Sequence, residues 1–336
     1  MKVKLFIISI LCQLSQASFA CESFFGSEKL KLIMTGIQNS KEIWEGYSPV
    51  TNPVVLTDLP TSPKCIAIYT GNNWIFETLM SPLIISNTVY DFYPYSDENP
   101  ELKTKLLDMG ISRATVMSLH NFMGDLIANF PGGESGLFFM VLMHESFHLF
   151  YDLGSPLWPS WIRSVEGDRD EVLASCYNTN KKNLHLELRE LLESFKQEGN
   201  SPEFKRSIKN FISLRSFRYL AFPECREMES SWEMTEGIAE YVGWKLGLEV
   251  LITKTDLLNY FESEFTRSEN NLETEYFYLL GALQLFAIDK IDKNILIQRN
   301  PLMGSNRTVD DSIFELLKKI VINDYKFFND LKIKSY

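Results

Sequence analysis

The sequence predicts an α+β chain, with a small β-containing N-terminal part followed by a mostly helical body. Three observations lead there. Short runs rich in β-branched and aromatic residues, "PVVLTD", "CIAIYT" and "NTVYDFYPY", stand between Pro, Gly, Asn and Ser clusters before about Tyr95. From about Glu101 onward the pattern is helical. With 336 residues, 45% hydrophobic and 13% aromatic, the chain can bury a large core in one or two domains.

The elements follow in order. Residues 1–20 read as a signal peptide: "MKVK" is a positive start, "LFIISILCQL" a short apolar run, and Ser18-Phe19-Ala20 a small-x-small cleavage site. The run is too short to span a membrane. The mature chain then begins at Cys21 and is exported, periplasmic or secreted. A lipoprotein anchored at Cys21 is the lesser alternative, because Ser18 stands where such signals usually carry Leu. Residues 21–130 form the β-containing part and residues 131–336 the helical body. In the body, Ser201 and Pro202 open a helix as N-cap and first residue. "ECREMESSWEMTEGIAEYVGWKL" and "ETEYFYLLGALQLFAIDKI" follow. Thr308 and Asp311 resemble a capping box before "SIFELLKKIV".

Charge and cysteines narrow the function classes. A net charge of −11 argues against a dedicated nucleic-acid binder, which needs a basic surface for phosphates. Signal cleavage removes Cys12 and leaves Cys21, Cys65, Cys176 and Cys225. Four cysteines in an exported chain allow two disulfides in three pairings. Pairing neighbours, Cys21–Cys65 and Cys176–Cys225, ties each half of the chain to itself. None of the four stands at zinc-knuckle spacing.

The chemistry concentrates in "VLMHESFHLF", Val141 to Phe150, which holds two of the four histidines. It lies on a helix read from Glu134 to Asp152, apolar nearly all round and therefore buried. His144 and His148 are four residues apart and point the same way, so their ring nitrogens can converge on one ion. Glu145 projects about 100° around the helix from His144, beside that ion and outside its ligand set. Two imidazoles holding Zn2+ and a carboxylate taking a proton from water is the chemistry this spacing serves. The bland alternative is two core histidines and a coincidental Glu. An unpaired buried carboxylate would be costly, which weighs against it.

Zinc held by two His needs a third protein ligand. No His stands at the extended position, so a carboxylate is expected. Glu166 in "WIRSVEG" lies 18 positions after His148, and Glu236 in "WEMTEGIAEYVG" lies 88 after. Glu236 has the better local context, because Gly237 and Ala239 let a neighbouring helix approach closely. "HESFH" followed by "EGIAEY" resembles the gluzincin metallopeptidases, whose ligand Glu commonly stands directly before Gly. The resemblance covers about His144 to Tyr241. It implies a zincin-like fold, a Zn2+ cofactor, His144, His148 and Glu236 as metal ligands, and Glu145 as catalytic base. It also implies a peptide or protein substrate. The long interval before Glu236 departs from the compact gluzincin spacing and leaves Glu166 open as the third ligand.

Other residues carry a sharp and a bland reading. Tyr278 and Tyr276 are candidates to stabilise an oxyanion, or belong to an aromatic core stripe. Arg215 and Arg218 can grip a substrate carboxylate, or form a basic helix surface paired with nearby Glu. Glu240 can hydrogen-bond a ligand His, but Glu229, Glu233 and Glu240 read more simply as a solvated face. His120 and His185 read as structural. The functional expectation is a zinc metallopeptidase. The alternatives are a zinc hydrolase of another amide, for example in cell-wall material, and a non-catalytic binding protein that keeps zinc for stability.

Overall fold

The three β runs supply three strands of a five-stranded mixed sheet in the computed structural model of the chain. The structure describes residues 21–57, 64–79, 90–93, 100–118, 132–151, 162, 169–271, 275–298, 300–304 and 306–323. The strands are β1 (Val54–Thr57), β2 (Lys64–Tyr69), β3 (Trp74–Leu79), β4 (Tyr90–Tyr93) and β5 (Ala114–Ser118), in the order β3-β2-β1-β5-β4. Among the described residues, only β1 and β5 pair in parallel. Such a pairing needs a long crossover, and the intervening chain supplies it.

Side-chain alternation fixes what each sheet face covers. Val55, Ile66, Ile68 and Val116 share one face and pack with Leu102, Leu106 and Ile111, from α1 (Pro100–Asp108) and the turn after it. The alternate residues Val54, Leu56, Ala67 and Met117 are equally buried. The middle strands are thus covered on both faces and show no polar alternation. An N-terminal helix, αN (Glu28–Asn39), is capped by Ser27, whose Oγ accepts from Leu30 N at 3.3 Å. The Cys21–Cys65 disulfide fastens the segment before αN to β2. Helix α2 (Gly133–Phe150) packs along β5 and against αN.

The chain divides into two compact units. Among the described residues, the first holds the chain up to Lys41, Ser48–Phe150 and Glu249–Leu251, including the sheet, αN, α1 and α2. The second holds Glu42–Tyr47, Tyr151–Leu248 and the chain from Ile252. Its helices are α3 (Arg169–Lys196), α4 (Pro202–Ala221), α5 (Pro223–Trp232), α6 (Ile238–Val250), α7 (Lys254–Asn271), α8 (Glu275–Ile291), the short α9 (Ile295–Gln298) and α10 (Ile313–Asn323). Ser201 caps α4 as expected, its Oγ accepting from Phe204 N at 3.1 Å. Lys290 of α8 closes the end of α3, donating to the carbonyls of Ser194, Phe195 and Gln197 at 2.6–2.9 Å. The Cys176–Cys225 disulfide ties α3 to α5.

The α+β class stands, with corrections in detail. The chain after Glu101 is not helical throughout, because β5 lies within it. "ATVMS" is fully buried and too short to separate a period of two from one of 3.6. Conversely, αN lies inside the part read as β-containing. The Thr308–Asp311 box closes a 3-10 turn, Val309–Asp311, just ahead of α10. Both neighbour disulfides are present and are compatible with export. No helix among the described residues is long and apolar enough to cross a membrane. The signal-peptide residues, 1–20, lie outside the described residues.

Candidate metal centre

Helix α2 owes its place to an apolar surface that cannot be left in water. Phe138, Phe139, Leu142, Met143 and Phe147 are all fully buried. Gly36 of αN lets that helix come close. A Cβ there would lie 2.7 Å from the Phe139 ring. Ser146, also fully buried, receives a long hydrogen bond of 3.5 Å from Asn52 Nδ2. These contacts fix the rotation of α2 and with it the direction of its polar side chains.

His144 and His148 project from successive turns of this fixed helix. Their Nε2 atoms stand 3.0 Å apart, with ring planes 70° to one another. His144 is buried and His148 half-buried. Two Nε2 lone pairs at that distance repel unless a proton or a cation lies between them. A tetrahedral zinc with bonds of about 2.0–2.1 Å holds two nitrogens about 3.3 Å apart. The pair is therefore already close to a chelating separation. Glu145 is buried beside them at 7% exposure. The donor types suit zinc, and neutral imidazole is its commonest nitrogen ligand.

Glu236 belongs to the second unit, where α5 passes through a π-helical turn, Glu233–Gly237, into α6. The Ile238 N–H reaches back five residues to the Glu233 carbonyl. Helix α8 crosses this turn in backbone contact. A Cβ on Gly237 would sit 2.6 Å from Gly281 Cα, and one on Gly281 would sit 3.1 Å from the Glu233 carbonyl oxygen. At Gly237 a helix does approach closely, and it is α8. In a straight α-helix Glu229, Glu233, Glu236 and Glu240 would line one face. The π turn inserts one residue, which rotates everything beyond it by about 100°. The stripe is split in consequence: Glu229 and Glu233 are fully buried, whereas Glu236 and Glu240 are half-buried.

Arg215 and Arg218 of α4 are fully buried and hold the upper half of that stripe. Arg215 donates to Glu187 Oε2 at 2.9 Å and to Glu233 Oε1 at 2.6 Å. Arg218 donates to both oxygens of Glu187 and both of Glu229, at 2.6–3.0 Å. Gln284 of α8 donates to Glu233 Oε2 at 2.9 Å. Burial pushes Glu187 up, but Arg218 and Arg215 together outweigh it and hold its carboxyl below the usual range. For Glu233 burial wins over Arg215, and the carboxyl is raised. The Arg215 guanidinium also stacks 5.0 Å from the Phe211 ring centre. The solvated-face reading of Glu229 and Glu233 is thus corrected; the two arginines do pair with Glu, as their bland reading had it, but in the interior and not on a helix surface. Nothing in the sequence around Glu187 announced its part in the network.

The remaining candidates are placed as follows. Glu240 accepts from Trp244 Nε1 at 2.6 Å, one turn along α6. Tyr276 is buried, and its hydroxyl donates to the Leu184 carbonyl, a core role. Tyr278 is half-buried, with its ring edge-on to Trp232 at 5.9 Å. His185 packs between Phe265 and Tyr276. Glu166 and His120 lie outside the described residues. Cys176 and Cys225 stand near Glu229 as a formal donor group, but disulfide sulfurs are not thiolates and bind no zinc. Comparison with known protein families, curated proteins and solved structures finds no match.

Proposed function

We propose that the protein is a zinc-dependent metallopeptidase of the gluzincin type. The observation that supports it best is the His144–His148 pair, with Nε2 atoms 3.0 Å apart on a buried helix that also carries Glu145. With the two histidines as ligands, the third donor in this reading is the Glu236 carboxylate, as the sequence resemblance implies. Glu236 is favoured because it stands directly before Gly237 in the Glu-Gly-x-Ala context that the gluzincin resemblance rests on. When bound, zinc supplies a Lewis acid and lowers the pKa of water toward neutrality. Glu145 takes the proton from the attacking water and passes it to the leaving amine. The Tyr278 hydroxyl donates to the oxygen that gains charge in the transition state. A structural zinc site is closed and has no use for a base, so Glu145 favours catalysis over a purely stabilising metal.

The test is metal content together with turnover. Purified protein reconstituted with zinc should hold one ion per chain, and His144→Ala or His148→Ala should remove it. Glu145→Gln should keep the metal and lose hydrolysis of a peptide library. Well-folded protein that takes up no zinc would end this reading. Undiminished turnover in Glu145→Gln would end the catalytic part of it.

A further inference from the structure

We propose that Arg215 is a positioning residue for Glu236, acting through Glu233 and the π turn between them; this rests on the metallopeptidase reading above. Glu233 opens the π turn, and Glu236 is its fourth residue. The turn is a local departure from α geometry, and nothing in "EMTEG" alone requires it. Two outside restraints hold it. One is the backbone crossing of Gly237 and Gly281. The other is the Glu233 carboxylate, held at one oxygen by Arg215 and at the other by Gln284. Arg215 is itself held by Glu187 of α3 and stacked on Phe211. The turn is therefore referenced to α3, α4 and α8 together. Release of Glu233 frees the helix to expel the inserted residue. Everything after the turn would then rotate by about 100°, and Glu236, inside it, would turn by part of that angle. A ligand carboxylate so displaced cannot reach the same ion.

The first variant pair is Arg215→Met with Glu233→Met, which removes the interaction with side chains of similar volume. Replacing a buried ion pair by apolar groups is often tolerated by the fold. The second is Glu233→Gln, which keeps the acceptor for Arg215 and serves if the double variant fails to fold. The probes are Zn2+, titrated against a competing chelator, and Co2+, whose visible spectrum reports the ligand set. The double variant should bind zinc 10–100-fold more weakly, the range seen when a partner that orients a ligand is lost. Its Co2+ spectrum should shift toward that of Glu236→Gln. Glu233→Gln should fall between it and the wild type. In a Glu236→Gln background neither change should weaken zinc further, because both act through Glu236. Wild-type zinc affinity and Co2+ spectrum in a folded variant overturn the inference alone. Glu236→Gln without effect removes Glu236 as ligand and the inference with it, while the histidine pair stands. No metal uptake by the wild type overturns both readings.

Discussion

Replacing Gly237 by Ala tests the crossing of the π turn with α8 directly. The added Cβ would lie 2.6 Å from Gly281 Cα, 3.2 Å from Gly281 C and 3.4 Å from Ala282 N. All three are backbone atoms, so no rotamer change relieves the contact. Carbon atoms pack at about 3.5–4.0 Å, so α8 must retreat by about 1 Å. Overpacking of this kind costs about 1–3 kcal/mol. For a unit of this size that is a fall in Tm of roughly 2–12 °C. Gly281→Ala drives its Cβ to 2.7 Å from Gly237 Cα and 3.2 Å from Glu233 Cα, so it should cost a similar amount. The two changes strain one contact, and the double variant should lose less than the sum. Thermal and urea unfolding, followed by tryptophan fluorescence, measure all three. A Tm for Gly237→Ala within 1 °C of the wild type would refute the close crossing. Additive losses would show that the two glycines do not meet.

Several other measurements bear on the same structure. Removing Cys176–Cys225 by paired Ser substitution opens a loop with a sequence separation of 49 and should cost roughly 4 kcal/mol by chain entropy; a thiol count near zero on denatured wild type checks that the bond forms. Glu236→Gln should weaken zinc binding and Glu166→Gln should not, and the reverse result in equilibrium dialysis would move the third ligand to Glu166. Glu187, held below the usual carboxylate range, stabilises the fold above about pH 4.5 and loses that contribution as pH falls further. Glu233, raised, has the opposite sign: its contribution is present below about pH 4.5 and is lost as pH rises through its folded value. Stability measured from pH 3 to 8 should peak on the acid side of neutrality, and Glu233→Gln should flatten the limb toward pH 7. Lys290→Met leaves three carbonyls at the end of α3 without their ammonium and should cost about 2–3 kcal/mol in urea unfolding.

The legible parts of this chain are those where one short segment suffices. His144, Glu145 and His148 sit on one helix, and four-residue spacing alone brings the two ring nitrogens together. Ser201 and Pro202 mark a helix start for equally local reasons. The disulfide pairing was legible because neighbours in sequence are neighbours in each unit. Strand β5 was hidden because burial on both faces erases alternation. The charged stripe of α5 and α6 was misread for a different reason. Its i, i+4, i+7, i+11 spacing describes a straight helix, and the π turn breaks that geometry midway. The cause of the break lies in Arg215, Gln284 and Gly281, which are distant in sequence and act only after tertiary packing.

The buried network makes little sense as a source of stability. It places two guanidinium groups among three carboxylates, one more acid than base, at 0–1% exposure. Arg215 Nη2, Gln284 Oε1 and the hydroxyls of Ser230 and Ser231 are buried without hydrogen-bond partners among the described residues. A partly satisfied polar network in low dielectric is inferior to an apolar core of the same volume. What charged pairs supply and apolar packing does not is direction, since a guanidinium fork accepts a carboxylate in few geometries. A single inserted residue in a helix is a register choice. Apolar side chains slide past such a choice more easily than a two-oxygen carboxylate held from both sides. Arg218 has no comparable hold on the turn, since its partners Glu187 and Glu229 lie outside it. Arg218 should therefore matter to stability and leave the presentation of Glu236 largely unchanged, which separates the two arginines by role although they sit three residues apart on one helix.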